Sequence, residues 1–198
     1  MLSLTAIRQP PPSVQGDGLV LRCPERRDYH QWRDLRLRSR AFLEPYEPRW
    51  AEGELTQRRF AERVRRNRND AASGVEFPFF IFSPRDHGGR LVGGLTLSNI
   101  RRRSAQTTTL GYWMGVDYAG KGIMKRAVAL ILPFVFDTLH LHRVEAACLP
   151  DNAASRRVLL SNGFMEIGLA QYYLRIDGAW RDHVLFGLTL EHYNGFAG

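Results

Sequence analysis

Leu110-Gly111-Tyr112-Trp113-Met114-Gly115-Val116 leads, after three residues, into Gly120-Lys121-Gly122-Ile123-Met124-Lys125. The first part reads as a strand, Gly120-Lys121-Gly122 as a turn, and the residues after it as the start of a helix. Such a turn aims several free backbone N–H groups at one point, and the helix dipole adds partial positive charge there. Lys121 and Lys125 add more, and glycines let the backbone approach an anion closely. The pattern reads as a pyrophosphate cradle. It is neither a Walker A loop nor Gly-x-Gly-x-x-Gly. Taken alone, Gly-Lys-Gly fits a plain strand–helix turn equally well.

Working outward, Gly122 to Leu139 is apolar almost all round, which predicts a helix buried against a sheet, with Pro133 kinking or shortening it. Arg143 to Cys148 is a short buried strand. Asn152 to Ser161 is a helix capped by Asn152 and ended by Gly163. Glu166 to Leu190 reads as two strands joined by Asp177-Gly178, a strong hairpin dipeptide. Before the central stretch, Phe77 to Ser83, Leu91 to Asn99 and Thr107 to Val116 are strands, with a turn at Asp86-His87-Gly88-Gly89. Leu19 to Arg22 is the first strand. Asp28 to Arg40 repeats apolar residues at helical spacing (Trp32, Leu35, Leu37, then Ala41). Phe42 to Trp50 is a loop stiffened by Pro45 and Pro48. Glu54 to Asn69 is a second helix with Leu55, Phe60 and Val64 inward and Arg58, Arg59, Arg63, Arg65, Arg66 and Arg68 around it. The expected fold is a mixed α/β architecture around one sheet. Residues 1–17, with their Pro-Pro-Pro run, are expected as a loose arm, and residues 18–198 as one domain.

Composition narrows the class. No apolar run approaches the length that spans a bilayer; the longest, Ala127 to Phe136, contains Pro133. No signal peptide is read at the start, which makes the cytoplasm the expected compartment. Cys23 and Cys148 form neither a disulfide framework nor a metal motif. The formal charge is +8, and Lys121 and Lys125 are the sole lysines, so arginine dominates. That excess suits a ribosomal or nucleic-acid surface and, equally, a solvated basic face.

Several motifs, in order, resemble the GNAT N-acetyltransferases. Ala119-Gly120-Lys121-Gly122-Ile123-Met124 is similar to their acyl-coenzyme A motif, Arg/Gln-x-x-Gly-x-Gly/Ala. It departs at Ala119, which replaces Arg/Gln, and at Met124, which replaces a small residue. Ser39 to Trp50, Leu141 to Ala146, Leu149 to Ser155, Asn162-Gly163-Phe164 and Ile176 to His183 resemble the RimJ/RimL branch, which modifies ribosomal proteins. The resemblance covers about Leu19 to Leu190. It implies a GNAT-like fold with a splayed central sheet, acetyl-CoA as co-substrate and no metal. It further implies direct transfer of acetyl to the N-terminal α-amine of a ribosomal protein with an alanine N-terminus.

The resemblance also assigns site residues. Tyr112, Trp113, Met114 and Gly115 are expected along the pantetheine arm, with a backbone N–H near Met114 holding the developing oxyanion. Gly120, Lys121, Gly122, Ile123, Met124 and Lys125 are expected at the pyrophosphate. Asn152 is expected at the cofactor arm as well as at its helix cap. Ser155 is expected to protonate the leaving thiolate; its plain alternative is a first-turn hydroxyl bonded to the backbone. Relatives carry an acid where this chain has Tyr172, so no carboxylate base is transferred there, and the phenol of Tyr172 could act only with a lowered pKa. Glu47 is the next candidate for holding the amine, against a loop salt bridge. Tyr46 and Trp50 are expected as an aromatic wall of the acceptor site, or as core. His140 and His142 lack the companions of a metal site, and Trp180 to His183 reads as a structural hairpin in which Arg181 pairs with Asp182. Two other functions stay open: acetylation of a small amine, and non-catalytic acetyl-CoA binding at the ribosome. The oligomeric state is open too.

Overall fold

The computed structural model describes residues 11–83 and 89–197, with side chains to residue 195. Eight strands form one sheet in the order β1-β2-β3-β4-β5-β6-β8-β7. They are β1 (Ser13–Gly16), β2 (Leu19–Arg22), β3 (Phe77–Ser83), β4 (Arg90–Arg101), β5 (Thr107–Met114), β6 (Arg143–Cys148), β7 (Met165–Ile176) and β8 (Ala179–Thr189). The helices are α1 (Tyr29–Arg38), α2 (Arg40–Leu43), α3 (Gln57–Ala72), α4 (Ile123–Pro133), α5 (Ala153–Leu160) and α6 (Leu190–Ala197). The mixed α/β sheet expected from sequence is therefore present.

The segment read as a loose arm is ordered at its end. Ser13–Gly16 pairs antiparallel with Leu19–Arg22 around Asp17 and Gly18, both in the left-handed region that a tight hairpin demands. Residues 1–10 of that segment, and Asp86, His87 and Gly88 of the expected turn, lie outside the described residues. The terminal helix α6 has no counterpart in the sequence reading.

All seven residues of β3 are buried, and its alternation sends aromatic rings to both faces. Phe80 meets Phe60, which meets Trp32, so α1 and α3 cover one face. Phe77 and Phe79 meet the edge of Phe134 on the other. On α1, Trp32 and Leu35 point inward, whereas Leu37, and Ala41 on α2, are exposed, so the inward stripe is narrower than expected. Within Glu54–Asn69, Phe60 and Val64 are buried, but Leu55 precedes α3 and is only partly covered.

On the second face, α4 buries Ile123, Ala127, Val128, Ile131 and Leu132, the spacing of one helical stripe. Pro133 ends it as a regular helix. The chain continues as one wider turn over Phe134–Thr138, closed by Leu139 N–H to Phe134 O at 2.9 Å. Among the described residues no helix is long and apolar enough to cross a membrane.

The feature that shapes the site is a gap. β5 and β6 run parallel but pair only at Thr107–Thr109 with Arg143–Glu145. Beyond that point β5 stays with β4 and β6 stays with β8, so the two strands part from Leu110 and Ala146 onward.

Candidate active site

Amides along a strand alternate between its two edges. Gly115 N–H bonds Val92 O across the β4 side at 2.9 Å. The Met114 amide, one residue earlier, therefore faces the gap, as does that of Tyr112. These are the donors an acyl oxygen entering the gap would meet. The backbone then turns through Gly120 and Gly122, with φ of 73° and 70°, where a side chain would be strained. A Cβ built at either glycine meets no atom within 4 Å, so the turn borders open space. α4 starts there without a side-chain cap, leaving its first N–H groups to point outward.

A cavity of about 400 Å³ follows this path. Tyr112, Trp113 and Met114 line it along the strand, Gly120, Gly122, Ile123, Met124 and Lys125 along the turn, and Asn152 and Ser155 across the gap. A nucleotide-bearing thioester of extended shape fits this strand, turn and helix end. Two expected residues are not in the lining. Lys121 is exposed, its Nζ 5.9 Å from the Tyr118 ring centroid. Gly115 is buried against Leu35, where a Cβ would come within 2.3 Å of Cδ1.

A second cavity, about 480 Å³, opens on the other side of the gap. Tyr46, Tyr112, Asn152 and Ser155 line both cavities, so the two meet at these side chains. Asn152 Oδ1 accepts the Ser155 N–H at 3.0 Å, capping α5 as expected. Ser155 Oγ lies 2.8 Å from the Tyr112 hydroxyl. Burial pushes the Tyr112 phenol up from its ordinary range, with the Ser155 hydrogen bond opposing it, so Tyr112 stays protonated. Burial also raises the Cys148 thiol, which lines the second cavity and is uncharged at neutral pH.

Of the other expected residues, Tyr172 and Trp50 line neither cavity, Glu47 is engaged elsewhere, and Tyr46 lines both. Tyr172 does not reach the site. Gln171 to Tyr173 bulge out opposite Asp182, Tyr172 adopts φ of 49°, and its side chain is 73% exposed. The Asp182 carboxylate accepts the Tyr172 N–H at 2.8 Å, so the structure gives Asp182 this partner where a pair with Arg181 was expected. Glu47 lines the first cavity, but its carboxylate is already held. Arg36 donates to both oxygens at 2.7 and 2.5 Å, and Trp50 Nε1 donates at 2.8 Å. The salt-bridge reading therefore describes Glu47. Trp50 lines neither cavity; it stacks on Arg36, whose guanidinium carbon is 4.3 Å from its ring. Tyr46 does form a wall of both.

His142 Nε2 lies 3.0 Å from the Glu191 carboxylate. Among the described residues no three His, Cys, Asp or Glu side chains gather as a metal site. His183, treated from sequence as a hairpin feature, is 3% exposed and lines the second cavity. Its period-two position on β8 was readable; its neighbours across β6 and β7 were not.

A model of the acetyltransferase (GNAT) domain matches residues 18–165. The chain belongs to this family. It is an acetyl-CoA-dependent N-acetyltransferase, and the gap between β5 and β6 is the splay expected of the fold. The [Ribosomal protein uS5]-alanine N-acetyltransferase of Escherichia coli (strain K12) is 35% identical over 173 residues, 87% of this chain and 88% of that protein. Among solved structures, this acetyltransferase resembles the ribosomal-protein-S5-alanine acetyltransferase of Vibrio fischeri, with TM-score 0.83 and 30% identity, covering 90% of this chain and 96% of that one. It also resembles Mycobacterium smegmatis RimJ in complex with CoA-disulfide, with TM-score 0.82 and 34% identity, covering 91% and 87%.

Proposed function

We propose that this enzyme acetylates the N-terminal α-amine of a ribosomal protein that begins with alanine. The observation that carries the reading is the meeting of two cavities at Tyr112 and Ser155, one along the glycine turn and one beyond the gap. Similarity to ribosomal-protein-alanine N-acetyltransferases over most of the chain supports the choice of acceptor.

Acetyl-CoA supplies an activated acyl group when bound. Lys125 and the amides after Gly120 hold its phosphates, and the Met114 and Tyr112 amides line its arm. The Met114 N–H stabilises the carbonyl oxygen as negative charge develops. Ser155, fixed by the Asn152 cap and the Tyr112 hydroxyl, protonates the departing sulfur. Tyr46 borders the entering chain, and Glu47 and Trp50 hold the loop that presents it. An α-amine, with a pKa of about 8, is neutral in a useful fraction near physiological pH, whereas lysine at about 10.4 rarely is. Transfer in one complex follows, because neither thiol is an activated nucleophile: burial raises both Cys23 and Cys148.

Docking at ribosomal RNA is part of this proposal. Arg58, Arg59, Arg65, Arg66 and Arg68 on α3 are exposed, while Arg63 is paired with Glu54. Changing several of the exposed set to glutamate should weaken ribosome binding and flatten its salt dependence, yet leave acetylation of a free peptide intact. Thiol release measured with alanine-initiated peptides beside small polyamines tests the acceptor class. Faster turnover of the polyamines would favour the small-amine function instead.

A further inference from the structure

The reaction needs a group to take the proton of the attacking amine. Tyr172 is turned to solvent and the Glu47 carboxylate is bound by Arg36 and Trp50. Among the described residues no carboxylate lines the cavity beyond the gap. Its titratable and charged side chains are Tyr46, Tyr112, Cys148, Arg175 and His183. Burial holds Tyr112 and Cys148 in their protonated forms. A guanidinium has no lone pair to offer, and Tyr46 brings a phenol. An imidazole is the one lining side chain of a type whose basicity suits neutral pH.

The geometry of His183 fits the task. Nδ1 lies 2.9 Å from Arg181 O. A carbonyl only accepts, so Nδ1 carries the hydrogen, and in the neutral ring the lone pair is then on Nε2. Among the described residues Nε2 has no hydrogen-bond partner, yet it is not one of the sealed, unpartnered polar atoms, so it keeps some access to solvent. The ring lines the cavity, and Nε2 is its nitrogen left unengaged there. The Tyr173 ring on β7, 5.8 Å from the imidazole by centroids, packs beside it, and neighbouring Asp182 is held by the Tyr172 amide. No carboxylate in this cavity therefore competes for the imidazole.

We infer that His183 Nε2 is the proton acceptor for the amine, an assignment that rests on the α-amine acetylation proposed above. The amine nitrogen forms the new bond to the acetyl carbon while the carbon–sulfur bond breaks. The nitrogen's proton passes to Nε2, directly or through one cavity water, and Ser155 gives its proton to the departing sulfur. Proton return from the imidazolium to Ser155 through the cavity restores both.

The test compares wild type, His183→Ala and His183→Gln on an alanine-initiated peptide, at pH values on both sides of the amine's pKa of about 8. Glutamine can still donate to the Arg181 carbonyl, so it carries the test if the alanine variant does not fold. We expect kcat/KM to fall about 10²-fold near neutral pH, with the deficit shrinking at alkaline pH as hydroxide takes the proton in place of the imidazole. CoA affinity, measured by calorimetry, should not change. Wild-type rates in the variant, or an equal loss at every pH, would overturn the assignment. Wild type failing on this peptide would instead sink the acceptor proposal, whatever His183 does.

Discussion

Arg36→Met is the substitution whose consequences the structure specifies most fully. The guanidinium lies 4.3 Å from the Trp50 ring and 5.0 Å from the Trp113 ring, and donates twice to Glu47 at 2.7 and 2.5 Å. The two side chains are 11% and 20% exposed, so solvent screens the pair little. Removing one partner of a well-buried ion pair costs about 3–5 kcal/mol. Each cation–π contact adds about 0.5–1 kcal/mol. Two features offset this. Glu47 keeps its bond from Trp50 Nε1, and the change deletes the buried, unpartnered Arg36 Nε, whose burial costs about 1–3 kcal/mol. The net expectation is a loss of about 3 kcal/mol. At about 2–4 °C per kcal/mol for a chain of this size, the melting temperature should fall by about 6–12 °C. Glu47 O also accepts the Asp177 N–H at 2.9 Å, tying the loop to the β7–β8 hairpin. The same variant should therefore raise KM for both the acceptor peptide and acetyl-CoA, because Tyr46 on that loop lines both cavities. Thermal unfolding and initial rates check both. A loss below about 1 kcal/mol, the size of an exposed pair, with both KM values unchanged, would show that the loop is held by something else.

Three further outcomes are expected. Gly122→Val places a β-branched residue at φ of 70° and puts its side chain into the open space beside the turn; CoA binding should be lost in the folded protein, and unchanged calorimetric affinity would refute the cradle. Ser155→Ala should lower kcat about 10²-fold or more, the scale of one general acid, with little change in CoA affinity, and a wild-type kcat would leave Ser155 as part of a helix start. Initial rates varied against both substrates should give intersecting lines, and Cys148→Ser should retain that pattern; parallel lines, or an acetylated Cys148 found by mass spectrometry, would mean a covalent route.

The parts of the fold legible in the sequence are those set by local chemistry. Phe77–Ser83 is an apolar aromatic run, Arg143–Cys148 alternates partly covered and buried residues, and the limits of both match the strands observed. Asn152 and Gly163 mark the ends of α5, and Asp177-Gly178 supplies the two positive φ values of the hairpin. Pro133 ends α4 because it lacks the N–H a regular helix needs. The strand Ser13–Gly16 is not legible in the sequence because a short edge strand has no signal until its partner is known. The candidate site divides the same way. The glycine turn and the helix start after it depend on adjacent residues and are legible. The pairing of Tyr112 with Ser155, the capture of Glu47 by Arg36, and the outward turn of Tyr172 each depend on residues far apart in the chain or on a bulge. A bulge shifts register by geometry that composition does not encode. For the same reason the sequence reads His183 as structural, whereas the fold places it beside the second cavity.

The most direct test of the account is the site of acetylation. Purified enzyme with acetyl-CoA would be given an alanine-initiated ribosomal-protein peptide that contains a lysine, and the same peptide with its N-terminus blocked. Fragment mass spectrometry would locate the added acetyl group, and thiol release would give the rates. Acetylation confined to the free α-amine, with the blocked peptide almost unmodified, is the predicted result. Equal rates on the blocked peptide, with acetyl on the lysine, would contradict it.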